Sequence, residues 1–184
     1  MALSLADDYE PFPAVAASAL RTLARGDIGD AGVAHVVTGF AELPAHPDVE
    51  PAMKILAESG TAMVCLTNGA EETTEGFLRR NGLEAYVDQI ISVSEADSWK
   101  PRTRVYRYAL ERLRRSADEV ALVAVHAFDC HGAKRAGLTV GWASRLEGHY
   151  AEVFRSADVT GTDLVDVVRG LLELPQSVRR QQRA

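Results

Sequence analysis

The 184-residue chain sets 26 acidic against 20 basic side chains, a net charge of -6, with 47% hydrophobic and 25% charged residues. That is the composition of a globular protein with a sizeable core, long enough for one α/β domain and a small accessory element. It excludes the basic face that a nucleic-acid partner requires. No run approaches the ~18 apolar residues of a membrane span, and no basic-then-apolar leader opens the chain. Neither membrane nor nucleic acid is therefore expected as a partner. Two cysteines, Cys65 and Cys130, are too few for a disulfide framework. They read as inert thiols in a reducing cytoplasm.

In chain order, apolar residues Phe12, Val15, Ala16, Leu20 and Leu23 recur at helical spacing and predict a helix over 11–24. A turn follows. Asp30 is placed to cap a second helix over 30–42. Two helices with no strand between them form a helical region, 1–46. Pro44 and Pro47 mark a connector. Beyond it, strands and helices alternate: helix 47–59, strand 61–66, helix 71–81, strand 87–93, helix 102–114, strand 119–125, helix 130–136, strand 138–142, strand 158–160 and helix 163–172. Alternation with apolar strands predicts a parallel sheet covered on both faces, the core domain 47–175. The polar, basic tail 176–184 is expected to fray.

Ligands of such sheets bind beyond the carboxyl ends of the strands. Three polar clusters fall there. Thr67 and Asn68 end a strand and open a helix, where they can bind an anion beside helix amides or simply cap the helix. Lys100 offers a point charge that can orient a carboxylate, or it is a solvated surface lysine. Asp129 follows a buried strand and can serve as base, ligand or orienting group, or cap the helix at Cys130. His126 beside it is either a donor at the site or a half-buried ring satisfied by backbone. His35, His46, His131 and His149 show no clear partners.

Taken together, Leu66-Thr67-Asn68-Gly69, Lys100-Pro101 with Tyr106, and Val123-Ala124-Val125-His126-Ala127-Phe128-Asp129 resemble the second, third and fourth signature motifs of the haloacid dehalogenase (HAD) superfamily. The stretch Asp129–Leu138, Trp142 and Asp158-Val159-Thr160 extend the likeness. The branch is that of the L-2-haloacid dehalogenases, in which a helical cap precedes the second motif. The resemblance implies an α/β fold: a HAD-like Rossmannoid parallel sheet with a small helical cap.

It also implies a mechanism. An aspartate displaces halide from the carbon of a small 2-halocarboxylate, and water hydrolyses the resulting ester. By motif, Lys100 and Asp129 are the catalytic residues present. Lys100 stabilises the nucleophile, and Asp129 positions or activates water with His126 close by. Thr67 positions the carboxylates, Asn68 lies near the halide, and Tyr106 supports the pocket wall or Lys100. No metal and no cofactor are expected, because the approach to Asp129 holds no second acid and a divalent cation needs several oxygen ligands. A homodimer is plausible on the resemblance.

The sequence departs from the family in places. Phe128 stands for a tryptophan, His126 for an asparagine and Ala124 for a serine. No strand ending in the nucleophilic aspartate precedes the cap, and the halide-side arginine has no counterpart in Met1–Asp8. Asp7 and Asp8 have no apolar strand before them. The first core strand is thus apparently missing, which would leave strand edges unpaired. A truncated dehalogenase, one completed by another chain, and a non-catalytic binding or oligomerisation module are the competing readings, with a HAD-type phosphatase behind them.

Overall fold

The elements of the computed structural model, which describes residues 2–175, run α1 (Ala2–Leu5), α2 (Phe12–Leu23), α3 (Asp30–Gly39), α4 (Val49–Glu58), β1 (Val64–Thr67), α5 (Glu71–Arg80), β2 (Gln89–Ser92), α6 (Thr103–Leu113), β3 (Ala121–Ala124), α7 (Ala127–Arg135), β4 (Thr139–Ala143), β5 (Val159–Gly161) and α8 (Leu164–Glu173). The tail at 176–184 lies outside the described residues. The expected alternation is present and every strand pair is parallel. The strands form two sheets rather than one, β1-β2 and β3-β4-β5. Among the described residues, no strand pairs with both β1 and β3.

Two compact units divide the chain. One joins residues up to His46 with Val64–Trp99. Here α2 packs on α3, and α5 packs on β1 and β2. Leu78, Leu83, Ile91 and Val93 are its buried apolar residues around the sheet. Asn81 ties the helical region to the end of α5. Its Oδ1 accepts the Ala45 N–H at 3.0 Å, and its amide donates to the Phe77 carbonyl at 2.8 Å. Helix α3 gives way to a 3-10 turn at Phe40–Glu42, so the predicted helix over 30–42 is two pieces. Phe12 meets Phe40 edge-on and lies beside Trp99, which also neighbours Tyr9.

The other unit holds Pro47–Met63 and the chain from Lys100 onward. Strand β4 is central and wholly buried. Helix α8 covers one face, with α4 against it, and α7 packs on β3 and β4 with α6 beside it. Ala143, Val167 and Leu171 centre an apolar cluster with Val123, Val125 and Val159. The first-turn amide of α8 at Leu164 donates to Asp48 Oδ2 at 2.9 Å, and Arg145 pairs with the same oxygen. Lys134 Nζ meets both oxygens of Asp158 at 2.9 and 3.0 Å, and Asp158 in turn accepts the Val140 N–H. These links clamp α7 and β4 to the segment entering β5.

Some boundaries moved for local reasons. The strand expected over 119–125 starts at Ala121, because Ser116 and Glu119 form a reciprocal capping box around a 3-10 turn. The strand expected over 87–93 stops at Ser92, whose hydroxyl accepts the Ser94 N–H and opens another such turn.

Helix α8 lies close against Gly141 in β4. A Cβ there would sit 2.3 Å from Val167 Cγ1 and 3.0 Å from Leu171 Cδ1. Overpacking of this kind costs ~1–3 kcal/mol. Gly141→Ala should therefore lower the urea unfolding free energy by about that amount, whereas Gly39→Ala, with open space around its Cβ, should change it little.

Candidate functional site

The second unit brings together three of the residues singled out in the sequence. Lys100 Nζ lies 2.9 Å from Asp129 Oδ2, and the Tyr106 hydroxyl donates to Asp129 Oδ1 at 2.6 Å. The pair is nearly out of water: the side chains of Lys100 and Asp129 are 13% and 8% exposed. A carboxylate so placed is tolerated only when opposite charge and hydrogen bonds replace its hydration. Burial, then the Asp129 charge, pushes the Tyr106 hydroxyl far above its ordinary range. The tyrosine therefore stays a donor to the carboxylate.

Local sequence explains this convergence. Helix α7 begins at Ala127, three residues before the predicted start, so Asp129 lies in its first turn and His126 takes the N-cap position. Asp129 does not cap a helix at Cys130. Helix α6 carries Tyr106 towards α7, and Gly132 permits the approach. A Cβ at Gly132 would meet Pro101 Cβ and carbonyl at 2.6 Å and the Tyr106 hydroxyl at 2.7 Å. Only a hydrogen in place of a side chain lets Pro101, and with it Lys100, close on the turn that bears Asp129.

His126 is exposed rather than half-buried. Its Nδ1 faces Glu147 Oε1 at 3.2 Å and its ring stacks on Phe128 at 5.1 Å. Glu147, which the sequence gave no reason to select, also accepts the Ala127 N–H at 2.9 Å. His131, expected to have no clear partner, has two. Its Nδ1 accepts the Arg155 N–H at 2.9 Å, and its ring stacks on Phe154 at 4.9 Å. Cys130 is buried, and burial followed by the Asp129 charge raises its thiol to about 12. It is no nucleophile at neutral pH.

Thr67 and Asn68 belong to the first unit. Thr67 ends β1 opposite Ser92, and its hydroxyl accepts the Gly69 N–H at 2.9 Å. Ser92 Oγ donates to the Gly69 carbonyl at 2.8 Å, which fixes the turn. Neither Thr67 nor Asn68 caps α5, whose N-cap position is Ala70. Asp7 and Asp8 follow α1, a helix rather than a strand.

A parallel α/β fold with an ion-paired aspartate just past a sheet strand defines the class. The sequence matches the profile of the haloacid dehalogenase-like hydrolases over residues 32–143, and the chain belongs to that family. It is similar to (S)-2-haloacid dehalogenase 1 of Pseudomonas sp. strain CBS-3, 34% identical over 60% of this chain and 49% of that protein. It is also similar to the (S)-2-haloacid dehalogenase of Pseudomonas sp. strain YL, 25% identical over 90% of this chain and 72% of the other. The L-2-haloacid dehalogenase of Xanthobacter autotrophicus with chloropropionic acid covalently bound has the same fold. Its TM-score is 0.83 at 24% identity, covering 94% of this chain and 80% of that one. The chain spans about half the length of the first curated relatives it matches. No helix among the described residues is long and apolar enough to cross a membrane.

His131 yields a pH prediction. Burial, then the charges of Arg135 and Arg155, holds its imidazole below the ordinary range. The folded state then binds fewer protons than the unfolded one. This contribution is whole above the unfolded value of about 6.5 and is lost as pH falls below it. The wild type should lose more urea stability between pH 7.5 and 5.5 than His131→Phe, which keeps a ring against Phe154 but cannot titrate. An equal loss would remove His131 as the cause.

Proposed function

We propose that this chain carries the greater part of a hydrolase of the (S)-2-haloacid dehalogenase type, acting on small 2-halocarboxylates. One observation carries the reading: Asp129 is held by Lys100 at 2.9 Å and Tyr106 at 2.6 Å beside a parallel sheet. In this scheme an aspartate carboxylate attacks the halogen-bearing carbon, halide leaves with inversion, and water cleaves the ester. Lys100 supplies positive charge for the carboxylates, Tyr106 holds Asp129, and Asp129 positions the water with His126 close by. The roles of Thr67 with the carboxylates and Asn68 with the halide rest on the family pattern alone.

The arrangement of Asp129 favours this chemistry over phosphate hydrolysis. A divalent cation on Asp129 would have to displace a lysine ammonium, and the preceding residues His126 and Phe128 supply no second carboxylate. A non-catalytic module that binds a small carboxylate is the second reading. A cytoplasmic location and a homodimer joined through α2 and α3 belong to the proposal. Exposed Leu23 and Val36 on those helices support the dimer.

Chloride release from (S)-2-chloropropionate tests the reading, in the chain alone and in the chain joined to an upstream strand–Asp-x-x-Gly-Thr segment. We expect release from the joined form without added metal, falling by about 100-fold or more in Lys100→Met, as when a charge-stabilising donor is removed. No release from the joined form contradicts the dehalogenase. Magnesium-dependent phosphate release would favour a phosphatase instead.

A further inference from the structure

The turn between β4 and β5 contains a carboxylate that the motifs do not include. Glu147 lies 21 residues from His126 in sequence, yet its carboxylate divides between two donors. Oε2 accepts the N–H of Ala127, the first residue of α7, at 2.9 Å, and Oε1 lies 3.2 Å from His126 Nδ1. Helices leave their first amides without intrahelical partners, and Ala127 is buried, so this one requires an acceptor. Glu147 supplies it from across the fold.

Its position is fixed from several sides. Two residues earlier, Arg145 pairs with Asp48, which also accepts the Leu164 N–H. Gly148 takes a positive φ of 67° and donates to the Ser144 carbonyl at 2.8 Å, closing the turn. Tyr150 lies edge-on to Trp142, whose indole donates to the Val125 carbonyl immediately before His126. The turn that carries Glu147 and the backbone that carries His126 are therefore tied together at both ends.

This geometry has a consequence for protons. A carboxylate can only accept, so the proton of neutral His126 sits on Nδ1 and Nε2 keeps its lone pair. Nε2 has no hydrogen-bond partner among the described residues. The two oxygens of Asp129, by contrast, already receive Lys100 and Tyr106.

We infer that Glu147 is a positioning residue that fixes His126 as an Nε2 base, and that His126 takes the proton from the water that cleaves the ester. This deepens the dehalogenase reading and, in its catalytic part, rests on it. In the step, the water oxygen bonds to the acyl carbon of the aspartyl ester while its proton passes to Nε2. The ester C–O bond then breaks, and the departing alkoxide of the 2-hydroxy acid takes that proton back. The nucleophile is left as its acid, whose proton passes to solvent; this restores the carboxylate, accounts for the one net proton of the hydrolysis and needs no redox partner. Glu147 stabilises the transient imidazolium, as the aspartate of a Ser-His-Asp triad does for its histidine.

The direct test is the tautomer of His126, read from long-range 1H–15N correlations of the full chain at pH 8. Wild type should show the Nδ1–H form. In Glu147→Gln, the amide oxygen must remain on the buried Ala127 N–H, which turns the NH2 towards His126. The tautomer should then reverse to Nε2–H. His131 is the internal control. It accepts the Arg155 N–H at Nδ1, so it should stay Nε2–H in both proteins, and its change would report loss of the fold. Were that to happen, wild-type His126 alone still decides: an Nε2–H form there overturns the inference, as does an unchanged tautomer in a folded Glu147→Gln.

The tautomer is independent of turnover. In the halide-releasing form, Glu147→Gln should keep the first-turnover burst of halide but slow 2-hydroxy acid formation at least tenfold. Equal slowing of both steps would overturn the catalytic role. Absence of halide from the wild-type form would count against the dehalogenase reading while the tautomer still judged the dyad.

Discussion

A carboxylate taken almost entirely out of water must be met by charge and hydrogen bonds. Asp129 sets that requirement for the second unit. Lys100 and Tyr106 satisfy it at 2.9 and 2.6 Å, and much of the surrounding packing can be read as what brings them there. Lys100 comes from the segment just before α6, Tyr106 from α6 itself and Asp129 from the first turn of α7. Three short stretches must therefore converge within hydrogen-bond length. Breaking one partner of such a pair leaves a buried charge uncompensated, which is far costlier than never having built it.

Convergence depends on small residues and on long-range clamps. Gly132 lets Pro101 and Tyr106 lie against α7, and Gly141 lets α8 lie against β4. The Lys134–Asp158 pair and the Arg145–Asp48 pair then secure the segments on either side of the turn between β4 and β5. That turn presents Glu147 to the start of α7 and to His126. The same helix thus carries an ion-paired aspartate in its first turn and a carboxylate-bound histidine at its cap.

Much of this was legible in the sequence. Short apolar runs located all five strands and helical spacing the larger helices, because strands covered on both faces are apolar throughout and a helix buried on one face repeats about every 3.6 residues. Lys100 and Asp129 were singled out by their place past the strands and Tyr106 by the family resemblance, and the three come together. Two strand boundaries shifted where a side chain captured a backbone amide, at Ser92 and Glu119, an effect of single atoms that periodicity does not see. Division into two sheets was anticipated only as unpaired strand edges. Glu147 was invisible because its contacts lie 20 and 21 residues away across a turn, and an isolated glutamate in a polar turn looks like any solvated one. His131 was missed likewise, since its partner is a backbone N–H in the loop at Arg155.

The dependence of the second unit on the Asp129 cluster is best tested by a double-mutant cycle. Urea unfolding free energies would be measured for the wild type, Lys100→Met, Asp129→Asn and the double variant. The interaction described here predicts that each single change is severe and that the double variant is less damaged than their sum, with a coupling of about 2 kcal/mol or more. Single effects that add to within about 0.5 kcal/mol would contradict it, and would leave Lys100 and Asp129 as neighbours rather than partners.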